Sequence, residues 1–136
     1  TISESQYIKK KDSMKFKKDL NILIAEDIKY NQELLMSMLQ TCGYKSITIT
    51  NDGIEAIQAI QSKQFDVLLL DLRMPRLDGY QVLDYLKKNN MIKSLKIIPL
   101  TASVLEEDQN RCQSYGVNYF LRKPIDIKEL KTALLS

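Results

Sequence analysis

The fold is decided by two short stretches, ILIAED at residues 22–27 and VLLLD at residues 67–71. Both are apolar at consecutive positions, which is typical of strands that are covered on both faces. Segments with apolar residues at helical spacing separate them from further strand-like runs. Because strands that alternate with helices form a parallel sheet between two helical layers, the sequence predicts an α/β fold.

Five strands and five helices are predicted in alternation. The strands are predicted at residues 21–25, 46–50, 66–70, 96–100 and 118–122. The helices are predicted at residues 30–42, 53–61, 80–89, 105–115 and 126–135. This pattern favours a flavodoxin-like, doubly wound (βα)5 fold with a five-stranded parallel sheet of order 2-1-3-4-5, whose ligand site lies at the carboxyl ends of strands one and three. Gly43 and Gly116 are predicted to end the first and fourth helices in the left-handed conformation.

Composition limits the classes of function. The chain of 136 residues is 44% hydrophobic and has a formal net charge of +3, no histidine and two cysteines. These values predict a single domain over residues 20–136, preceded by a Lys-rich linker or flexible extension at residues 1–19. Without histidine, a Cys/His zinc site and a Ser-His triad are excluded, so Cys42 and Cys112 are predicted to be buried free thiols. No apolar run approaches the roughly 20 residues that cross a bilayer, and no signal peptide is apparent, so a cytoplasmic location is expected.

Reactive polar side chains follow four of the predicted strands. Glu26 and Asp27 follow the first strand, Asp71 the third, Thr101 the fourth and Lys123 the fifth. Each of them alone has an ordinary explanation, such as a helix cap, a turn residue or a solvated charge. Strands one and three, however, would bring three carboxylates into one crevice, where their repulsion is costly unless a cation binds. A set of oxygen ligands favours Mg²⁺ or Mn²⁺ over zinc or copper.

The same residues suit phosphoryl transfer. Asp71 is the best-placed nucleophile because its strand is central in the predicted sheet. Glu26 and Asp27 would hold the metal, while the Lys123 ammonium and the Thr101 hydroxyl would bind oxygens of the transferred group. The sequence therefore predicts a carboxylate that accepts a phosphoryl group with the help of a divalent cation.

Four segments, in order along the chain, resemble the signatures of response-regulator receiver domains. They are ILIAED at residues 22–27, LLDLRMPRLDG at 69–79, PLTAS at 99–103 and RKPI at 122–125. The resemblance covers residues 20–136 and is more specific than any one segment, since acidic pairs and Lys-Pro dipeptides are common. It implies phosphorylation at Asp71 with Mg²⁺ as the cofactor, for which Mn²⁺ can substitute. The implied metal ligands are Glu26, Asp27, Asp71 and the main-chain carbonyl of Arg73.

The resemblance also implies residues that respond to phosphorylation. Thr101 and Phe120 would be switch residues that change the face formed by the fourth helix, the fifth strand and the fifth helix. The side chains of Arg73 and Ser103 would set the access of attacking water. Phe120 replaces the more common tyrosine, and Arg73 adds a cation beside the site, so both depart from the family pattern. A cis peptide bond is expected between Lys123 and the proline that follows it.

The likeness is greatest to receivers fused to hybrid sensor histidine kinases, because an acidic stretch at residues 106–108 follows the fourth strand. The phosphodonor would be a histidine kinase or a histidine phosphotransfer domain, since this chain has no histidine. The domain would not turn over a substrate; it would catalyse its own phosphorylation and its own slow dephosphorylation. Neither nucleic acid nor membrane is expected to bind this domain, because a Lys-rich flank is more typical of a solvated linker. Its location would be the cytoplasm, or the cytoplasmic part of a membrane-bound sensor kinase.

Three other functions fit the pattern less well. A phosphatase of the haloacid-dehalogenase type needs Asp-x-Asp, whereas Asp71 is followed by Leu72 and Arg73. A receiver-shaped interaction module that no longer takes phosphate would lack an acidic residue or the lysine, and neither is missing. A flavodoxin-like nucleotide binder needs a Gly-rich phosphate loop, and the four glycines of this chain do not cluster.

Overall fold

The computed structural model describes residues 19–102 and 105–136. Strands β1 to β5 span Asn21–Ala25, Ser46–Thr50, Val67–Asp71, Lys96–Thr101 and Leu121–Arg122. Helices α1 to α5 span Lys29–Thr41, Gly53–Ser62, Gly79–Lys88, Glu106–Ser114 and Ile127–Leu135. The strands pair in parallel in the order β2-β1-β3-β4-β5, so the flavodoxin-like prediction is confirmed. The extension predicted at residues 1–19 falls, up to residue 18, outside the described residues.

The central strands are apolar on both faces because each face packs against its own helices. Leu23 and Leu68 point into a core with residues of α2, α3 and α4. Ile22 and Leu69 point the other way, into a core with residues of α1 and α5. This two-sided burial is the physical reason for the uninterrupted apolar runs that decide the fold.

The fifth strand is much shorter than the predicted run at 118–122. Only two residues of β5 pair with β4, Leu121 with Leu100 and Arg122 with Thr101. One residue further back, β5 would pair at Pro99, which has no N–H to donate. The backbone N–H and C=O groups of successive strand residues point to opposite neighbouring strands. The Thr101 carbonyl accepts from the Lys123 N–H of β5, so the backbone groups of Pro99, two residues earlier, also face β5. Pro99 therefore offers β5 no N–H donor. The prediction of five strand residues was therefore wrong.

Other differences from the predicted boundaries are small. Asp71 and Thr101 are the last residues of their strands rather than the first residues beyond them. Gly43 and Gly116 have φ values of 95° and 83°, which confirms their predicted role at helix ends. Both cysteines are free, and Cys112 is buried as predicted, but Cys42, the C-cap residue of α1, is only partly buried.

Candidate functional site

Three carboxylates meet at the carboxyl ends of β1 and β3. Glu26 and Asp27 directly follow β1, and Asp71 ends the neighbouring strand β3. One oxygen from each lies within 4.8 Å of the others. Glu26 and Asp71 are buried. The crevice that the sequence predicts is thus present.

The position of Glu26 is fixed by its neighbours. Its Oε2 accepts a hydrogen bond from the Ile28 N–H at 3.1 Å. Its carbonyl accepts from Gln32 Nε2 at 2.5 Å, and the same Gln32 amide donates to Asn51 at 2.8 Å. Gln32 was not among the residues predicted from the sequence. The available signal was a polar residue at a position of α1 that the helical period assigns to the buried face.

Lys123 connects the two buried carboxylates. Its Nζ donates to Glu26 Oε1 at 2.6 Å and to Asp71 Oδ2 at 3.1 Å. The Lys123 N–H donates to the Thr101 carbonyl at 2.8 Å, which ties the end of β5 to β4. The peptide bond between Lys123 and Pro124 is cis, as expected.

Burial and crowding set the charges of this cluster. Burial raises the pKa of Asp71 to about 7, with a further contribution from the Glu26 charge, against the hydrogen bond from the Arg73 N–H and the charge of Lys123. Burial also acts to raise the pKa of Glu26, but the hydrogen bonds from Lys123 and the Ile28 N–H outweigh it and lower that pKa. The pKa of Lys123 is raised, because the two carboxylates outweigh the effect of its burial. Of the two buried carboxyls, Glu26 therefore forms the charged pair with Lys123, and Asp71 is the one whose pKa is raised.

The chemistry of the donors fits a hard divalent cation. All the ligand atoms that the cluster offers are carboxylate oxygens, which Mg²⁺ prefers over nitrogen and sulfur. The pKa of Asp71 is raised first by burial and in addition by the charge of Glu26, and a bound cation would offset both effects. When bound, Mg²⁺ would neutralise charge on phosphoryl oxygens held at this crevice.

Comparison with known proteins agrees with this geometry. Residues 22–135 match the family described as response regulator receiver domain. The chain is a receiver domain of that family. Its site is accordingly the acidic pocket of a domain used in two-component signalling.

Several relatives of this receiver are parts of sensor kinases. It is 32% identical over 116 residues to the sensor histidine kinase RcsC of Escherichia coli K12, and the match covers 85% of this chain and 12% of RcsC. It is 29% identical over 122 residues to hybrid signal transduction histidine kinase K of Dictyostelium discoideum, covering 85% of this chain and 10% of that protein. The chain thus spans about a tenth of the length of these curated relatives. Within the described residues, no helix has the length and apolar character of a bilayer span.

One similar solved structure contains the expected metal. The receiver domain of sensor histidine kinase PA1611 from Pseudomonas aeruginosa PAO1 superposes with a TM-score of 0.76 and is 34% identical. The match covers 85% of this chain and 94% of that domain. That structure has a magnesium ion coordinated in its active site cleft.

Thr101 and Phe120 lie on the α4 side of the receiver's site. Thr101 is buried at the end of β4, and Phe120 is half-buried just before β5. A gap of only about 10 Å³ lies between them, and its wall includes Leu72 and Cys112. The other residue expected to modulate access, Ser103, falls outside the described residues.

Arg73 contacts both the site and α4. Its N–H donates to Asp71 Oδ1 at 3.0 Å, so its main chain is held beside the acidic crevice. Its guanidinium extends toward α4, where one nitrogen lies 3.7 Å from Asp108 Oδ2. Asp108 also accepts a hydrogen bond from the Tyr80 hydroxyl of α3. Neither Asp108 nor Tyr80 was predicted from the sequence to have a role at the site, although a carboxylate four residues before the buried Cys112 occupies the inner face of α4.

The loop between β3 and α3 is fixed on its other side by the start of α2. Arg76 Nε and one terminal guanidinium nitrogen each lie 2.7 Å from Asp52 Oδ2. The Gly53 N–H donates to the Leu77 carbonyl at 3.0 Å, and a Cβ on Gly53 would lie 2.2 Å from that oxygen. A Cβ on Gly79 would lie 2.6 Å from the Asp71 carbonyl oxygen. Positions 53 and 79 therefore both require glycine, because any side chain would collide with the neighbouring backbone.

Proposed function

We propose that this receiver accepts a phosphoryl group on Asp71 from a phosphohistidine, with Mg²⁺ bound at the same crevice. The proposed metal ligands are the carboxylates of Glu26, Asp27 and Asp71 and the main-chain carbonyl of Arg73. The observation that carries the proposal is the grouping of three carboxylate oxygens within 4.8 Å of one another, with the Lys123 ammonium beside two of them. The magnesium ion in the cleft of the PA1611 receiver supports the same assignment.

The proposed reaction is a direct displacement at phosphorus. A carboxylate oxygen of Asp71 forms the new O–P bond while the N–P bond of the phosphohistidine breaks. The bonding pair stays on the imidazole nitrogen, which leaves and is protonated by solvent. Lys123, now 3.1 Å from Asp71 Oδ2, exchanges that contact for a phosphoryl oxygen, and the Thr101 hydroxyl donates to another. In slow dephosphorylation, a water attacks phosphorus, inorganic phosphate leaves and the Asp71 carboxylate is restored.

The donor is another domain or protein, because the chain contains no histidine. A histidine kinase or a histidine phosphotransfer domain has the required phosphohistidine. The kinase relatives support a parent protein of the hybrid sensor kinase type, in which residues 20–136 form the receiver unit and residues 1–19 a linker. In that arrangement the receiver is cytoplasmic, does not turn over a substrate, and requires neither nucleic acid nor membrane as a partner.

We further propose that phosphorylation changes the surface formed by α4, β5 and α5. The phosphoryl group has about −1.5 to −2 charge, and a charge-assisted hydrogen bond from Thr101 is worth about 1.5–3 kcal/mol. A gap of about 10 Å³ cannot accept the Phe120 ring, so the ring moves inward only after Thr101 has moved. The energy of the Thr101 hydrogen bond biases a two-state loop but is smaller than the roughly 5.5 kcal/mol that a full inversion of a strongly skewed equilibrium requires. Because Phe120 has no hydroxyl to anchor its inward position, the coupling is looser than in a receiver with tyrosine at this position.

Amide chemical shifts recorded with and without beryllofluoride and Mg²⁺ test this proposal. We expect changes at Asp71, Thr101 and Phe120 and along residues 105–116, and no response to beryllofluoride in Asp71→Asn. Changes limited to the neighbours of Asp71 would contradict the switch. A full response in Asp71→Asn would contradict the phosphoacceptor assignment.

A further inference from the structure

Asp108 is a buried carboxylate that the proposed reaction does not use. It is the third residue of α4, and its side chain is only 8% exposed. Oδ1 accepts a hydrogen bond from the Tyr80 hydroxyl. Among residues 19–102 and 105–136, Oδ2 is the buried side-chain oxygen without a hydrogen-bond partner. A carboxylate oxygen in this position requires a nearby cation to offset its burial.

The cation near Oδ2 is Arg73, and it is held loosely. The nitrogen-to-oxygen distance is 3.7 Å, which is too long for a hydrogen bond, and the Arg73 side chain is 70% exposed. The other arginine nearby, Arg111, stacks on the Tyr80 ring with its guanidinium carbon 3.9 Å from the ring centre. Arg73 therefore has an ionic contact with Asp108 that little else maintains.

The same cleft connects Asp108 to the metal-binding crevice. A cleft of about 440 Å³ is lined by Asp27, Arg73, Tyr80 and Asp108, among others. The main chain of Arg73 is held at Asp71 by the 3.0 Å hydrogen bond to Oδ1. The guanidinium is thus on an exposed side chain in a cleft whose wall includes both Asp108 and Asp27, one of the three carboxylates of the crevice.

We propose that Asp108 is a positioning residue that competes with the phosphoryl group for the guanidinium of Arg73. This inference rests on the proposed phosphorylation of Asp71. Before phosphorylation, Asp108 holds the guanidinium on the α4 side of the cleft. A phosphoryl group offers more charge and a bidentate acceptor geometry, so Arg73 moves to it. Asp108 Oδ2 then loses its cation, which weakens the contact between α4 and the β3–α3 loop and couples the site to α4 independently of Thr101.

Beryllofluoride affinity at saturating Mg²⁺ tests this competition. Asp108→Asn is expected to tighten binding about two- to fivefold, because Arg73 is no longer held at α4. Arg73→Ala is expected to weaken binding by a similar factor. In the double variant, the effect of Asp108→Asn disappears, and its affinity equals that of Arg73→Ala. Glu106→Gln is the matched control, since it removes the same charge from an exposed position of the same helix turn and leaves affinity within twofold.

Each other outcome overturns the inference. If Asp108→Asn tightens binding equally in the Arg73→Ala background, the effect is general electrostatics. If affinity is unchanged in both single variants, no competition exists. Should Asp108→Asn fail to fold, the Arg73 Nε–H signal of the unaltered protein is decisive, because it must shift when beryllofluoride binds. Wild-type protein that acetyl phosphate does not label would overturn the proposed function too, whereas labelled protein with unchanged affinities overturns only this inference.

Discussion

The β3–α3 loop, residues 72–78, has two arginines three positions apart, and each faces a buried aspartate in a different way. Arg76 directs two nitrogens at Asp52 Oδ2, both at 2.7 Å. Arg73 approaches Asp108 Oδ2 with one nitrogen at 3.7 Å and forms no hydrogen bond to it. Asp52 is also the N-cap of α2, where its Oδ1 accepts a hydrogen bond from the Glu55 N–H, so both of its carboxylate oxygens are hydrogen-bonded.

The difference separates a structural contact from an exchangeable one. On the α2 side, the loop is fixed by the Arg76 pair and by the Gly53 N–H bond to Leu77. On the α4 side, the ion pair between Arg73 and Asp108 is long, and its cation is on an exposed side chain. A loop fixed at one side can hold still the Arg73 carbonyl that we propose as a metal ligand, while its other side responds to the charge on Asp71.

The largest effect on stability is expected at Asp71, the last residue of β3 before the loop, because its pKa is raised. A carboxyl whose pKa rises from its ordinary value to about 7 on folding stabilises the fold at low pH, and this contribution is lost as pH rises through about 7. With a chelator present, we expect wild type to lose about 2–4 kcal/mol of unfolding free energy between pH of about 4 and about 8 through this group. Urea denaturation across this range measures it.

Asp71→Asn is the control, because an amide cannot ionise and this part of the pH dependence should vanish. Added Mg²⁺ should restore stability to wild type at the alkaline end and have little effect on Asp71→Asn. An equal pH dependence in both proteins would contradict the crowding of charge inferred at Asp71.

The next largest effect on the free energy of unfolding is expected at Asp52, on the α2 side of the loop. Asp52→Ala removes both a helix cap and the Arg76 contact, and we expect it to lower the free energy of unfolding by about 1.5–3 kcal/mol at neutral pH. Asp126→Ala is the matched control, because Asp126 caps α5 through the Lys128 N–H and should lose only about 1 kcal/mol. Equal losses in the two variants would mean that Arg76 contributes nothing to the stability of the loop.

The pH dependence at Asp52 should have the opposite sign to that at Asp71. The Glu55 N–H first, and Arg76 in addition, hold the pKa of Asp52 below its ordinary value. Its contribution is therefore present above pH of about 4 and is lost as pH falls below that value. Asp52→Ala should reduce the acid sensitivity of the fold and leave the alkaline limb unchanged.

The smallest losses of unfolding free energy are expected when the two arginines are replaced. Arg76→Ala should cost about 1 kcal/mol of unfolding free energy, whereas Arg73→Ala, whose side chain is 70% exposed, should cost less than about 0.5 kcal/mol. Thermal or urea denaturation of the two variants measures the difference. A larger loss for Arg73→Ala would contradict the assignment of Arg73 as the exchangeable contact.

The residues at the ends of the strands could be predicted, because short-range sequence patterns determine where each strand ends. Apolar runs bounded by Glu26, Asp71 and Thr101 identify strand ends, and parallel pairing then brings those ends together. The short β5 was not predicted, because the missing donor of Pro99 matters only once β5 pairs beside it.

The side-chain contacts between different helices and loops could not be predicted from the sequence pattern either. Nothing local to Arg76 specifies Asp52 as its partner, and nothing local to Arg73 specifies Asp108, because each pair depends on side-chain directions across a loop. The one sequence signal for such contacts is a polar residue at a buried helical position, and it could have indicated that Gln32 and Asp108 have polar partners in other elements.

The central claim is that Asp71 accepts a phosphoryl group when a divalent cation is bound. Intact-mass analysis after incubation with acetyl phosphate tests it most directly. We predict one adduct of about 80 Da, the mass of a phosphoryl group, in wild type with Mg²⁺ or Mn²⁺, and none in Asp71→Asn or in the presence of a chelator. An adduct that persists in Asp71→Asn, or that forms without a divalent cation, would contradict the account.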